Sequence, residues 1–181
     1  MGLFDRFKKK GADAVSSEPS VPASVDAKAS ADVVCAPVSG KVIAMTEVPD
    51  PVFGGEILGR GCAVWPEEDV VYAPADGTVT VAMGHAMGIM SLSGVELLVH
   101  CGVDTVNLQG KGFESFAKQG DEVKAGQPLL KMDRAVIAEA GYKDCVVLAV
   151  SNTAEFASVD MAAESGSQVA AGDAVVAVVR K

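Results

Sequence analysis

The sequence predicts an all-β fold: an antiparallel β-sandwich or barrel of about ten short strands with a few short helical turns. Three observations indicate this class. Apolar residues make up 49% of the chain but aromatic residues only 5%, so the core must be aliphatic, and its many valines favour strands. From residue 33 onward, short apolar runs alternate with Gly and Pro. Helical periodicity is weak in the same region.

Ten apolar runs bounded by turn residues are the strand candidates. In order they are Val33–Val38, Gly40–Met45, Ala63–Trp65, Val70–Ala73, Gly77–Met83, Gly88–Leu92, Glu96–His100, Gln127–Met132, Cys145–Ser151 and Ala174–Val179. Three segments are expected to form a helical turn or two: Phe113–Lys118, Ala135–Ala140 and Ala154–Ala163.

Two segments recur within the strand-rich region. Ala36–Val42 (APVSGKV) returns in form as Ala73–Val79 (APADGTV), and Gly120–Gly126 (GDEVKAG) returns as Gly166–Gly172 (GSQVAAG). Each copy indicates a turn that leads into a strand. Paired units of this kind predict a quasi-symmetric sheet fold. They also occur in lipoyl and biotinyl carrier domains, which are therefore an alternative interpretation.

The chain divides into three parts by composition. Residues 1–10 (MGLFDRFKKK) hold four basic residues against one acidic residue, whereas the whole chain carries a net charge of −9. Leu3, Phe4 and Phe7 would share one face of a helix, so this segment is expected to dock on an anionic membrane. A frayed terminus is the alternative. Residues 11–31 are small, polar and Pro-containing and indicate a flexible linker. Residues 32–181 form the folded domain.

Composition also excludes some function classes. A net charge of −9 and a pI near 4.6 argue against nucleic acid as a partner. No apolar run approaches the roughly 20 residues of a bilayer span, and no secretory signal is recognisable, so we expect a cytoplasmic protein. The cysteines lie far apart without a C-x-x-C motif, which indicates free thiols in a reducing compartment. They are Cys35, Cys62, Cys101 and Cys145.

The candidate catalytic residues are the only two histidines of the chain, His85 and His100. His100 ends a strand candidate and lies two residues before Gly102, which lets another molecule approach closely. His85 lies between two strand candidates. If these strands pair antiparallel around the Ser93-Gly94 turn, both rings reach one exposed surface. A satisfied core histidine is the plainer interpretation of either residue taken alone.

The segment Gly94–Phe113 (GVELLVHCGVDTVNLQGKGF) closely resembles the active-site signature of the glucose-type enzyme IIA family of the bacterial phosphoenolpyruvate:sugar phosphotransferase system. The stretches APVSGKV, EVPDPVFGGEILGRG, YAPADGTV and KQGDEVKAGQPL resemble the same family, in the family's order. The resemblance covers about Val33 to Lys181. In addition, MGLFDRFKKK resembles the N-terminal membrane-docking helix of the free-standing members.

The resemblance implies a phosphotransferase-system enzyme that accepts phosphate from the histidine phosphocarrier protein on Nε2 of His100. It then passes the phosphate to the IIB domain of a glucose-type sugar permease. His85 and backbone N–H groups around Gly102–Thr105 would stabilise the phosphate oxygens. No metal and no other cofactor are expected, because the donor is a phosphohistidine and not ATP. We expect a cytoplasmic monomer that contacts the membrane peripherally through residues 1–10.

The resemblance also implies a docking surface. Asp104 would pair with basic residues of the phosphocarrier protein, with a solvated loop acid as the plainer alternative. An apolar collar around the active site is matched by Val52, Phe53, Ile57, Leu98 and Val106. For each of these residues taken alone, a place in the core is the plainer interpretation. The sequence departs from the family pattern where Met83 replaces a Thr, and where Val81 and Leu98 each replace a Phe.

Three alternatives belong to other function classes. A biotinyl or lipoyl swinging-arm domain would carry its modification on Lys131, but Lys131 continues directly from an apolar run instead of occupying a hairpin tip. A regulatory domain of the same fold would have lost phosphate transfer, against which the presence of both histidines argues. A glycyl-glycine peptidase would need a metal ligand set that two histidines do not supply.

Overall fold

The computed structural model describes residues 20–181, which form short antiparallel strands joined by tight turns. This region contains fourteen strands, and none of its helices is long and apolar enough to cross a membrane. The strands are β1 (Val33–Cys35), β2 (Gly40–Ala44), β3 (Arg60–Pro66), β4 (Val70–Tyr72), β5 (Gly77–Met83), β6 (Ala86–Ser91), β7 (Glu96–Cys101), β8 (Phe113–Ser115), β9 (Glu122–Val123), β10 (Pro128–Met132), β11 (Val146–Val150), β12 (Phe156–Met161), β13 (Gln168–Val169) and β14 (Ala174–Arg180). The α-helices are α1 (Pro51–Gly54) and α2 (Arg134–Glu139), and 3-10 helices span Met45–Glu47, Thr105–Leu108 and Thr153–Glu155. The predicted membrane-docking segment, residues 1–10, lies outside the described residues.

The strands of residues 20–181 fall into three antiparallel sheets, which confirms the predicted all-β class. One sheet has eight strands in the order β13-β2-β3-β11-β7-β6-β5-β9, and the other two have the orders β1-β14-β12 and β4-β10-β8. Their apolar faces meet in one core, which is mostly Val, Leu, Ile and Met as the composition predicts. Fully burying such a side chain stabilises the fold by about 1.5–3 kcal/mol.

The opposite face of the eight-stranded sheet carries a second, smaller apolar cluster. Residues of β3 and β11 alternate between the two faces, so that Ala63 and Val147 enter this cluster while their strand neighbours enter the main core. Helix α1 covers the cluster by burying Phe53 against it. The sheet is therefore covered on both faces in the region of β3, β11 and β7.

All ten predicted strands are present, with boundaries shifted by up to three residues. The predicted helical turn Ala135–Ala140 is confirmed as α2. The helical prediction for Phe113–Lys118 is wrong, because Phe113–Ser115 pairs with β10 as strand β8. The prediction for Ala154–Ala163 is also wrong beyond its first two residues, since Phe156–Met161 pairs with β14. In both segments, cross-strand pairing overrides local helix propensity.

The two sequence repeats are paired with each other in the fold. In one pair the N–H of Gly126 donates to the carbonyl of Ala73 at 2.8 Å, and in the other the N–H of Gly172 donates to the carbonyl of Ala36 at 2.9 Å. The strands that lie in or begin within these segments pair in the same way, β9 with β5 and β13 with β2. The hydrogen bonding of these segments therefore has the quasi-symmetry that the repeats predict.

Residues 25–31, which we call the N-terminal strap, lie across both of these turns. The N–H of Val25 donates to Gly126 at 2.9 Å, and the N–H of Lys28 donates to Gly172 at 2.8 Å. The sequence interpretation places all of residues 11–31 in a flexible linker, but the strap is hydrogen-bonded to the domain. The side chain of Lys28 adds an ion pair with Asp173 at 2.7 Å. The apolar pattern does not predict the strap, because these contacts are hydrogen bonds and an ion pair, not apolar packing.

Glycine is required at both turns that the strap crosses. A Cβ built on Gly126 would lie 2.1 Å from the carbonyl oxygen of Val25, and one on Gly172 would lie 2.0 Å from that of Asp26. Both glycines also have positive φ, +81° and +91°, which L side chains adopt at a cost. The end of each repeat is therefore shaped for close approach of the strap.

Candidate functional site

The site begins with the alternation of side chains along β7. Leu97, Val99 and Cys101 point into the main core, so Leu98 and His100 point to the opposite face. Leu98 packs against the smaller cluster there, and His100 is half-buried beside it. One residue of register therefore decides that the histidine faces outward.

Pairing of β6 with β7 brings the second histidine to the first. Ala86 is the register partner of His100, and the N–H of Cys101 donates to the carbonyl of His85 at 2.8 Å. The centroids of the two imidazole rings lie 4.9 Å apart with an interplanar angle of 75°. The antiparallel pairing around Ser93-Gly94 on which the sequence interpretation depends is present. The two rings lie together as expected, but His85 is buried and His100 is half-buried, so they do not both lie on an exposed surface.

A backbone carbonyl fixes the protonation pattern of the His100 ring. Nδ1 of His100 lies 2.8 Å from the carbonyl oxygen of Gly102. A carbonyl oxygen can only accept a hydrogen bond, so Nδ1 must carry the proton. The lone pair of the neutral ring is then on Nε2, which makes Nε2 the nucleophilic atom.

Both histidines are held neutral at physiological pH. Burial, followed by the neighbouring His85, lowers the pKa of His100 from 6.5 to about 4, although the hydrogen bond to Gly102 and the charges of Asp50 and Asp104 oppose this shift. Burial also lowers the pKa of His85. A protonated imidazole has no lone pair to attack with, so these low pKa values keep His100 reactive.

Two carboxylates lie close enough to act on the charge of His100. Asp104 is exposed in the loop after β7, with a left-handed backbone at φ 61°. Asp50 caps helix α1, where one carboxylate oxygen accepts hydrogen bonds from the N–H groups of Val52 and Phe53 at 2.8 and 2.9 Å. The sequence interpretation misses Asp50, although an Asp directly before a Pro is a recognisable helix-start signal.

The five residues of the predicted apolar collar occupy three depths. Phe53 is buried, and its ring centroid lies 4.9 Å from that of His100. Leu98 is half-buried. Ile57 and Val106 are exposed, by 71% and 56%, and Val52 is exposed by 39%. Phe53 therefore supports the His100 ring from beneath the surface. The three exposed members of the collar remain available to a partner.

The loop before β8 leads into Phe113, the first residue of that strand, which the sequence interpretation places in a helical turn. Phe113 lies edge-on to His85, with ring centroids 6.4 Å apart. Close approach of this loop depends on Gly84, where a Cβ would lie 3.0 Å from Cα of Gly110. Two of the residues that depart from the family pattern, Val81 and Met83, are exposed at the end of β5 in the same region.

The expected backbone donors around Gly102–Thr105 are partly occupied. The N–H of Gly102 donates to Cys145 and that of Val103 donates to Lys143, both at 2.9 Å. These two groups are therefore not free to bind phosphate oxygens, contrary to the sequence interpretation. Within residues 20–181, no group of three His, Cys, Asp or Glu side chains is placed to hold one metal ion.

Together, these features define a β-sheet domain that presents a neutral imidazole, with its reactive nitrogen fixed, beside a second imidazole. The chain belongs to the family of the phosphoenolpyruvate-dependent sugar phosphotransferase system, EIIA 1, which matches residues 32–156. It is a phosphocarrier of the glucose type within that system. The N-terminal strap precedes the matched residues.

Relatives of two sizes support this membership. The glucose-specific EIIA component of Bacillus cereus is 38% identical over 128 residues, which are 70% of this chain and 78% of that protein. The glucose-specific EIICBA component of Staphylococcus carnosus is 42% identical over 128 residues, but the chain spans only 19% of its length. The glucose permease IIA of Mycoplasma capricolum superposes with a TM-score of 0.69 at 36% identity, covering 80% of this chain and 93% of that one.

The swinging-arm alternative does not agree with the fold. Lys131 lies inside strand β10, where it is paired with Val70 of β4 on one side and Glu114 of β8 on the other. A modified lysine has to extend from an exposed turn in order to reach several partners. Lys131 is fixed in the middle strand of a sheet, so this interpretation is wrong.

Proposed function

We propose that His100 carries the phosphoryl group on Nε2. In the transfer step, the Nε2 lone pair attacks the phosphorus of a phosphohistidine donor as the donor's P–N bond breaks. The electron pair of that bond returns to the donor ring, and the Nδ1 proton of His100 stays on its own ring. The hydrogen bond between Nδ1 and Gly102 carries this proposal, because it leaves Nε2 as the only nitrogen with a lone pair.

The donor in this proposal is the histidine phosphocarrier protein, and the acceptor is the IIB domain of a glucose-type sugar permease. The exposed side chains of Ile57 and Val106 would form the apolar centre of both contacts. Asp104 and Asp50 would meet basic residues of the donor, which speeds encounter. Their negative charge would repel a bare phosphate ion, so the arrangement suits a protein-bound phosphoryl group better than free phosphate.

His85 stabilises the transferring group by donating a hydrogen bond to a phosphoryl oxygen. Its ring lies next to that of His100 and is buried, so it is oriented before the phosphoryl group arrives. Since the N–H groups of Gly102 and Val103 are already paired, the side chain of His85 takes the larger part of this role.

The test is phosphate uptake in a reconstituted system of phosphoenolpyruvate, enzyme I and the histidine phosphocarrier protein. The wild-type protein should take up one acid-labile phosphate, and His100→Ala should take up none. His85→Ala serves as the matched control, since it removes the other imidazole and should still be labelled. Uptake by His100→Ala at the wild-type stoichiometry would show that another residue is the acceptor.

We further propose that the protein works as a cytoplasmic monomer that docks on anionic membranes through residues 1–10. The support is their sequence: four basic residues beside the apolar side chains Leu3, Phe4 and Phe7. A peptide of these residues should become helical by circular dichroism with anionic vesicles but not with neutral ones. An unfolded peptide in both would reduce the segment to a solubilising tail. Sedimentation equilibrium of the full chain tests the monomer.

A further inference from the structure

Thr105 lies beneath the loop that supplies the hydrogen-bond partner of His100. It is completely buried, and its hydroxyl donates to the carbonyl of Cys101 at 2.6 Å. We propose that Thr105 is a positioning residue for His100: it holds the loop 101–105 closed, and the closed loop holds the Gly102 carbonyl against Nδ1. This inference rests on the proposed function of His100 as the phosphate acceptor.

The backbone of this loop is unusual at two positions. Gly102 has φ +84° and Asp104 has φ +61°, so the chain reverses sharply between the end of β7 and the 3-10 helix that starts at Thr105. A left-handed residue other than glycine costs on the order of 1 kcal/mol, and such a conformation persists only where its surroundings hold it. The Thr105 hydroxyl supplies one such hold, because it ties the 3-10 helix back to Cys101.

The space around Gly102 admits no side chain. A Cβ on Gly102 would lie 2.4 Å from Cγ2 of Thr105 and 2.7 Å from the carbonyl oxygen of Lys143. Gly102 is therefore enclosed between a side chain of its own loop and the backbone that leads into β11. With its N–H already bound to Cys145, the remaining group that can turn toward His100 is its carbonyl.

These contacts act in series on the reactive nitrogen. Thr105 fixes the ends of the loop, the loop fixes the Gly102 carbonyl, and the carbonyl fixes the proton on Nδ1. If the carbonyl moves away, the neutral ring is free to place its proton on Nε2 instead, and that tautomer has no lone pair where the phosphoryl group arrives. Thr105 does not touch the reacting atoms, because it is fully buried.

The test compares three variants with the wild-type protein. Thr105→Val removes the hydroxyl but keeps the shape, and Thr105→Ser keeps the hydroxyl but removes the methyl group. Ser91→Ala is the matched control, because it also removes a buried hydroxyl. Ser91 lies at the end of β6 far from His100, and its hydroxyl accepts a hydrogen bond from the N–H of Val95 at 2.9 Å. The tautomer of His100 is measured by ¹⁵N NMR of the unphosphorylated protein, and the rate of phosphate uptake is measured separately.

In Thr105→Val, part of the His100 population should move to the Nε2–H tautomer, and phosphate uptake should slow by about tenfold, as expected for loss of one buried hydrogen bond. Thr105→Ser should restore both properties, and Ser91→Ala should change neither of them, even if it lowers the midpoint of thermal unfolding. A wild-type tautomer in folded Thr105→Val would overturn the inference, as would a slow Thr105→Ser.

The wild-type protein supplies an independent measurement if Thr105→Val does not fold. A buried hydroxyl that donates to Cys101 should give a slowly exchanging proton signal, and its absence would overturn the inference. Failure of the proposed function is distinguishable from these results. If His100 never takes up phosphate, the labelling experiment fails for every variant, while the NMR measurement still reports whether Thr105 sets the tautomer.

Discussion

The imidazole rings of His85 and His100 lie 4.9 Å apart and are tilted by 75°, so that neither ring can gain a charge without affecting the other. His85 is the second largest cause of the lowered pKa of His100, after burial. The pair therefore stays neutral together. A neutral His100 can attack, and a neutral His85 can still donate from whichever nitrogen carries its proton.

The first prediction separates acceptance of phosphate from its delivery. His85→Gln leaves the acceptor nitrogen intact but replaces the oriented ring with a flexible amide. We therefore expect His100 to be labelled to the wild-type extent, and delivery to the permease IIB domain to be slowed by about 10²-fold or more. Rapid-quench transfer of labelled phosphate measures both steps. Equal delivery rates for the variant and the wild type would leave His85 without a role in transfer.

The second prediction concerns pH. Because the pKa of His100 is lowered to about 4, an NMR titration should show the ring neutral throughout the range in which an ordinary histidine, with a pKa of about 6.5, becomes charged. A midpoint near the ordinary value would mean that burial does not control the ring.

The same lowered pKa makes stability depend on pH. The unfolded chain protonates His100 at about pH 6.5, but the folded protein does so only at about pH 4. The stability that the neutral ring contributes is therefore complete above about pH 6.5 and is lost as the pH falls toward about 4. The free energy of unfolding should therefore fall as the pH decreases from about 6.5 to about 4. The free energy of unfolding of His100→Gln should fall less over the same range. A decrease as large as that of the wild type would show that His100 is not the group responsible.

The sequence predicted the strands and the two histidines because both follow from local pattern. Apolar alternation and flanking glycines locate β5, β6 and β7, and their pairing then places His85 beside His100. Asp50 and the strap were missed, since Asp50 acts by capping a four-residue helix and the strap is held by backbone hydrogen bonds and one exposed ion pair. Phe53 was placed in the apolar collar, with the core as the plainer alternative, because an apolar residue in a short loop segment carries no signal of its depth.

The third prediction tests the acidic residues near His100. Asp104→Asn should slow phosphate uptake most at low ionic strength, because exposed charges mainly steer encounter. Asp50→Asn should do the same and should also lower the pKa of His100 further, while its cap on α1 is kept because Asn caps about as well as Asp. Glu122→Gln removes an exposed charge in β9, beside the opposite end of β5, and should change neither property. Salt-insensitive uptake in Asp104→Asn would remove the electrostatic part of the proposal.

The fourth prediction distinguishes support from docking among the apolar residues. Phe53→Ala should lower the free energy of unfolding by about 3–5 kcal/mol, because it empties a buried site against the His100 ring. Ile57→Ala should leave stability within about 0.5 kcal/mol of the wild type, yet weaken binding of the phosphocarrier protein at every salt concentration. Urea unfolding and calorimetric titration measure the two effects. If Ile57→Ala binds normally, the apolar centre of the docking surface lies elsewhere.

The last prediction concerns the N-terminal strap. The backbone of Lys28 lies beside Cys35, whose thiol is fully buried and whose pKa is raised by burial to about 11. Displacing the strap should therefore expose this thiol. Gly126→Ala places a methyl group 2.1 Å from the strap carbonyl of Val25, so labelling of Cys35 by a thiol reagent under native conditions should accelerate.

Gly120→Ala is the matched control for this experiment. Gly120 lies in the same repeat with φ +93°, close to the +81° of Gly126, but a Cβ there would meet nothing within 4 Å. Both substitutions therefore strain the backbone in the same way, by on the order of 1 kcal/mol, and only Gly126→Ala pushes on the strap. Mass spectrometry identifies the labelled cysteine. If Cys35 reacts equally slowly in both variants, the strap does not cover it, whereas faster labelling in Gly126→Ala alone shows that residues 25–31 form part of the folded domain.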